Sequence, residues 1–156
     1  MLPHRRLLLI CVLLTAPAGL HAQRERLPPD DVDYVEKTWP DAEKLSTGIR
    51  YVQQVRGQGE LLAPGQKVRV IYTGMLLHGR VFDRTKDRTK PFEFRLGRSE
   101  VIPGWDQVLQ LMRPGDRWTV IIPPELAYGR RGSPPAIPGN ATLVFDIEVV
   151  GVKREG

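Results

Sequence analysis

Glu100-Val101-Ile102-Pro103-Gly104-Trp105 decides how the rest of this chain is read. Pro103 stands where a helix can begin, because a first helical position needs no N–H and proline's φ is already set for it. Ile102, Trp105, Leu109 and Met112 then recur at helical spacing. The pattern predicts one helix from Pro103 to about Met112 with a single apolar stripe, ended by Arg113-Pro114-Gly115-Asp116. That stripe carries an indole in its first turn.

Outward from the helix the period changes from helical to two. Phe92, Phe94 and Leu96 alternate with Glu93 and Arg95, and Trp118, Val120 and Ile122 alternate with Arg117, Thr119 and Ile121. Ile49 and Tyr51, then Val68, Val70 and Tyr72, fall on one face, and Leu143, Phe145, Ile147 and Val149 form the last strand. Gly74 to Phe82 returns through His78-Gly79, a hairpin-like turn. The expected class is therefore α+β: an antiparallel sheet of five to six strands half-wrapped around one short helix. Tyr128 and Phe145 join the aromatics near the helix start, which makes an apolar basin suited to a proline ring with a carbonyl beside it.

Three segments are expected. Residues 1–22 have the basic, apolar and small-residue zones of a secretory leader, with cleavage after Ala22 and Ala18 as second choice. Their apolar run is well short of the roughly 20 residues that span a bilayer, so stable membrane insertion is not expected. Residues 23–47 are polar, with Pro28-Pro29 and Trp39-Pro40 as breakers, and read as a flexible or loosely docked arm. Residues 48–156 form the domain. Export to the periplasm or secretory space is the expected localisation.

The inventory of reactive groups is thin. Of 156 residues one is cysteine and three are histidine; Cys11, His4 and His21 fall in the leader, leaving His78 alone in a turn. Zinc sites, Cys-His pairs and a Ser-His-Asp arrangement are thereby undersupplied, and no phosphate-cradling or dinucleotide motif is present. No metal and no cofactor are expected. The formal charge of +5 falls by two with Arg5 and Arg6, and the dense basic stretch Arg84–Lys90 contains no aromatic, so no nucleic-acid partner is expected.

The motifs Tyr72-Thr73-Gly74, Gly79-Arg80-Val81-Phe82-Asp83, Pro91-Phe92-Glu93-Phe94, Val101-Ile102-Pro103-Gly104-Trp105, Ala127-Tyr128-Gly129 and Ala141-Thr142-Leu143-Val144-Phe145-Asp146 occur in one order from Val68 to Val150. In this the chain resembles the FKBP-type peptidyl-prolyl cis-trans isomerases, whose fold is a half-wrapped antiparallel sheet around one helix. The resemblance implies catalytic roles for Tyr72, Phe82, Asp83, Trp105, Tyr128 and Phe145, and substrate contacts at Phe92, Val101, Ile102, Ile137 and Arg88. Trp105 would be the floor under the proline, Tyr72, Phe82 and Phe145 the walls, Ile102 a backbone N–H donor and Tyr128 a hydroxyl donor. Arg88 would steady Tyr72 and Asp83. The implied partners are proline-containing polypeptides and macrolides such as tacrolimus and rapamycin. Two departures stand out: Ser133 replaces a histidine common in the loop after Tyr128-Gly129, and Pro103 replaces a frequently polar residue.

Such an enzyme needs no nucleophile. Rotation about a peptide bond faces about 18–20 kcal/mol, a resonance barrier, and a dry aromatic site that favours the twisted imide over the planar one lowers it by differential binding. The alternative is a non-catalytic peptide-binding or chaperone module using the same cleft. No long helical arm for dimerisation is visible between leader and domain, so a monomer is expected.

Overall fold

The computed structural model describes residues 24–153, and the expected leader lies outside them. Seven strands form one antiparallel sheet: β1 Glu43–Lys44, β2 Arg50–Val55, β3 Lys67–Leu76, β4 Val81–Arg84, β5 Phe92–Arg95, β6 Arg117–Ile122 and β7 Leu143–Val152. Their order is β1-β2-β6-β7-β3-β4, with β5 also pairing with β3. The strand beyond the expected six is the two-residue β1, which lies in the arm and pairs Glu43 with Tyr51 and Lys44 with Arg50. β4 and β5 share one edge of β3, β4 meeting Thr73–Met75 and β5 meeting Lys67–Val70. Tyr72 stands at the gap between them.

The helix read from the sequence runs from Pro103 to Val108 as α2, then tightens into a 3₁₀ turn over Leu109–Leu111. Trp105, Val108, Leu109 and Met112 are buried against the inner face of the sheet, with Val68, Val70, Phe94, Val120, Ile122, Leu143, Phe145, Ile147 and Val149. The helix comes this close because Gly104 has no Cβ; one built there would stand 2.6 Å from Ile122 Cγ2 and 3.2 Å from the Leu126 carbonyl oxygen. Buried Asp116 closes the turn after the helix, its carboxylate accepting from the backbone N–H of Gly57 at 2.6 Å and of Arg113 at 2.7 Å.

The arm differs from its sequence reading. Pro29–Thr38 form a helix, α1, so the sheet carries a helix on each face instead of one in all. Pro28-Pro29, read as breakers, are its start: Pro29 occupies a first-turn position, with Asp30 and Asp31 in the first turn and Lys37 in the last, as the helix dipole favours. Ten residues of helix are marginal alone in water. What holds α1 is the outer face of the sheet, where Met75, Val144 and Ile121 lie side by side in register. Leu27 and Val35 are buried with Leu77, Ile121 and Val144, and Val32, Trp39 and Met75 pack around them. Each fully buried side chain of this size contributes about 1.5–3 kcal/mol, enough to dock a short helix.

Polar contacts fasten the same arm. Arg50, next in that cross-strand row, is 6% exposed and donates to Glu25 at 2.8 Å, with Glu36 3.6 Å away. Glu25 also accepts from Lys44 at 2.6 Å and from the backbone N–H groups of Arg26 and Leu27 at 2.9 Å. Burial opposes ionisation of Glu25, but the bonds from Lys44, Leu27 and Arg26 and the charge of Arg50 outweigh it, holding the carboxyl at about 2. Buried Thr142 donates to Asp31 at 2.6 Å, tying α1 to the residue before β7.

Candidate active site

Ten residues line a cavity of about 220 Å³ at the start of α2: Tyr72, Phe82, Asp83, Phe92, Glu100, Val101, Ile102, Trp105, Tyr128 and Phe145. The sheet supplies Tyr72 from β3, Phe82 and Asp83 from β4, Phe92 from β5 and Phe145 from β7, while α2 supplies Trp105. Ile102 is the residue capping α2, with φ −57° and ψ 148°. Its carbonyl accepts the Trp105 N–H at 3.0 Å. Its own N–H precedes the helix, where no carbonyl of the helix can take it.

Trp105 is the hub. Its ring lies edge-on to Tyr72 at 5.0 Å, to Phe145 at 5.3 Å and to Phe92 at 6.2 Å, and Phe94 backs it at 5.8 Å. Phe82 meets Phe145 edge-on at 5.7 Å, and Tyr72 meets Phe92 at 5.8 Å. These T-shaped pairs set the positive edge of one ring on the negative face of another and fix the walls relative to the floor. The Trp105 indole nitrogen is buried with no hydrogen-bond partner among the described residues. Gly74 makes room for the walls: a Cβ there would stand 2.7 Å from Phe82 Cζ and 2.8 Å from Phe145 Cε1.

Two hydroxyls and two carboxylates, those of Asp83 and Glu100, border this apolar space. The Tyr72 hydroxyl donates to Asp83 Oδ2 at 2.5 Å, and the Arg84 N–H donates to Asp83 Oδ1 at 2.8 Å, so the carboxylate is held on both oxygens. Burial, then the bond to Asp83 and its negative charge, push the Tyr72 hydroxyl far above tyrosine's ordinary range. Burial, then the Asp83 charge, raise Tyr128 too. Both phenols are therefore neutral donors around neutral pH. Tyr128 is 41% exposed and Phe92 39%, and with exposed Asp83 and Glu100 they form the open rim.

Two residues expected at the site lie elsewhere. The Arg88 guanidinium makes paired bonds of 2.9 and 3.0 Å to Glu148 on β7, away from the Tyr72–Asp83 contact it was expected to steady. One terminal nitrogen of the guanidinium, Nη2, is shared between both Glu148 oxygens, whereas Asp83 has both oxygens occupied by Tyr72 and the Arg84 N–H. Ile137 is buried in the core and does not line the cavity; its N–H and carbonyl pair with Ser133 across the loop that follows Tyr128. Ser133, the departure at that loop, is exposed.

Sequence reasoning passed over Glu100 and Asp106. Glu100 lines the cavity and accepts the Arg95 N–H at 2.8 Å. Asp106, in the first turn of α2, accepts the N–H groups of Gly97 at 2.8 Å and Ser99 at 3.0 Å. It thereby ties the loop between β5 and α2 to the helix carrying Trp105; its place one residue after the indole was the available signal. Among the described residues no group of three or more His, Cys, Asp or Glu could hold a metal.

The FKBP-type peptidyl-prolyl cis-trans isomerase family profile matches residues 59–150. FK506-binding protein 2 of Dictyostelium discoideum is 37% identical over 145 residues, covering 93% of this chain and 98% of that protein. The macrophage infectivity potentiator of Trypanosoma cruzi is 46% identical over 118 residues, and this chain spans 59% of its length. The crystal structure of AtFKBP13 superposes with a TM-score of 0.69 at 38% identity, covering 72% of this chain and 99% of that one. Fold, cavity and relatives agree: the chain belongs to the FKBP-type peptidyl-prolyl cis-trans isomerases.

Proposed function

We propose that this isomerase turns X-Pro bonds within the Trp105 cavity by stabilising the twisted imide, and that its clients are polypeptides folding outside the cytosol. The observation that carries the mechanism is the make-up of the site: six aromatic side chains, two of them the neutral phenols of Tyr72 and Tyr128, around about 220 Å³, with His78 elsewhere. His78 lies edge-on to Tyr34 of α1 at 4.6 Å, on the arm.

A planar imide is polar because charge is separated between nitrogen and oxygen, and twisting the C–N bond removes that separation. Aromatic walls that exclude water disfavour the planar forms, and the Ile102 N–H and Tyr128 hydroxyl hold carbonyls beside the proline, a role supported by both residues lining the cavity. Asp83 fixes the Tyr72 hydroxyl, so that wall cannot turn when the ring enters. No bond to the protein forms and no proton moves, which is catalysis by preferential binding of the transition state.

Export rests on the sequence of residues 1–22, with its basic, apolar and small-residue zones. The chain works as a monomer. Tacrolimus and rapamycin occupy the same cavity, a reading supported by family membership and by the wall and floor residues present. The test is isomerisation of a short X-Pro peptide by the purified chain, titrated with tacrolimus and followed by calorimetry. Turnover abolished by one equivalent of the macrolide is expected. Turnover unaffected by saturating macrolide, or binding without turnover, overturns the shared-cavity reading or the catalytic one respectively.

A further inference from the structure

Beside the aromatic cavity, and sharing Tyr72 and Phe92 with it, lies an open groove of about 490 Å³ formed by the connection from β4 to β5. Pro91 continues its apolar floor, while Arg84, Lys86 and Lys90 are exposed along its rim. The groove also holds two acids, but both are engaged. Glu93 has Lys67 and Lys153 at 3.4 Å and Arg69 at 3.5 Å. Asp87 accepts from the Thr89 N–H at 2.9 Å and hydroxyl at 2.7 Å. Arg88, the fourth cation of the segment, is paired with Glu148. Among the described residues Arg84, Lys86 and Lys90 form no ion pair, and the charge of Asp87, which its neutral Thr89 donors do not cancel, offsets only one of them, so a floor of Pro91, Phe92 and Tyr72 is bordered by a net positive rim.

A peptide whose proline sits over Trp105 must leave the cavity in both chain directions, and the shared walls Tyr72 and Phe92 make this groove one exit. Resting on the isomerase reading above, we infer that the groove is a substrate subsite that selects clients with an aspartate or glutamate close to the X-Pro bond. The acid belongs in the groove and not in the proline cavity, where Asp83 and Glu100 would repel it. Charges at this exposure act through water, so the selection is modest and salt-dependent, fading beyond the Debye length of about 8 Å at physiological salt.

The test compares kcat/KM for three sets of short X-Pro peptides differing only in one residue near the proline: acidic, alanine or lysine. Each set places the variable residue before X and, separately, after proline. At low salt the acidic peptide of one placement is expected to exceed its alanine counterpart by roughly 3- to 10-fold, with lysine below alanine. The advantage is expected to shrink in about 0.5 M salt. The double variant Lys86→Gln, Lys90→Gln is expected to weaken the ranking markedly while turning over the alanine peptide as wild type does. Equal turnover of all peptides in both placements by the wild-type chain, or a ranking unchanged in the double variant, overturns the subsite and leaves the isomerase reading standing. Failure of the wild-type chain to turn over the alanine peptide sinks both.

Discussion

Gly74 offers the sharpest perturbation of the cavity, because it lies in β3 with no backbone need for glycine: its φ is not among the positive values of the fold. Alanine there adds one methyl and nothing else. That carbon would stand 2.7 Å from Phe82 Cζ and 2.8 Å from Phe145 Cε1, against the 3.5–4.0 Å of ordinary carbon contact. About 1 Å of displacement has to be found between the two rings. Phe145 is 4% exposed and wedged on Trp105 at 5.3 Å, so Phe82, half-buried at the rim, is the ring that moves. Relieving such overpacking costs about 1–3 kcal/mol of stability. An error of that size in a positioned group costs up to about 100-fold in rate. Gly74→Ala is therefore expected to remain folded by circular dichroism and to lose roughly 10- to 100-fold in kcat/KM for an X-Pro peptide. Wild-type turnover in the folded variant would refute the claim that the spacing of Phe82 and Phe145 matters to catalysis.

Phe82→Ala or Phe145→Ala should each lower kcat/KM at least about tenfold, because each opens a wall to water, whereas His78→Ala should be nearly silent and Asp83→Asn intermediate; steady-state kinetics on the four variants checks the ranking. The arm should loosen in acid: Glu25 is held at about 2 in the fold against 4.5 unperturbed, so its contribution is complete above about pH 4.5 and drains as pH falls toward 2. Glu25→Gln should flatten that dependence in melts run from neutral pH downward. Asp31→Ala strands the buried Thr142 hydroxyl and should cost about 1–3 kcal/mol in urea unfolding, with Thr142→Val costing less because it removes the polar group itself.

The inner face of this fold was legible because its signals are local. Alternation at Val68-Val70-Tyr72 and Leu143–Val149, and Pro103 before an apolar stripe, name the strands and helix that the structure contains. The aromatics of the cavity were legible as residue types in a fixed order. The docking of the arm was not, since Pro28-Pro29 reads equally as a breaker or a helix start, and α1 has no sustained apolar period. A subtler sign was present: Ile121, Met75, Leu77 and Val144 are apolar where alternation assigns the outer face, and an apolar outer face needs a cover. Arg88 and Ile137 went astray for a different reason, because the partner a side chain selects depends on which acids or loops the fold brings near, and Glu148 lies 60 residues from Arg88.

The central claim is that nothing in the cavity gives or takes a proton. Tyr72 and Tyr128, both raised above the ordinary tyrosine range, stay neutral until pH climbs past it, so they first falter in alkali and not near neutrality. The most direct measurement is kcat/KM for an X-Pro peptide, by exchange spectroscopy without a coupling protease, between about pH 6 and 9, in light and heavy water. The account predicts a flat profile and equal rates in the two solvents. A bell centred near histidine's ordinary pKa of about 6.5, or a clear solvent isotope effect, would contradict it.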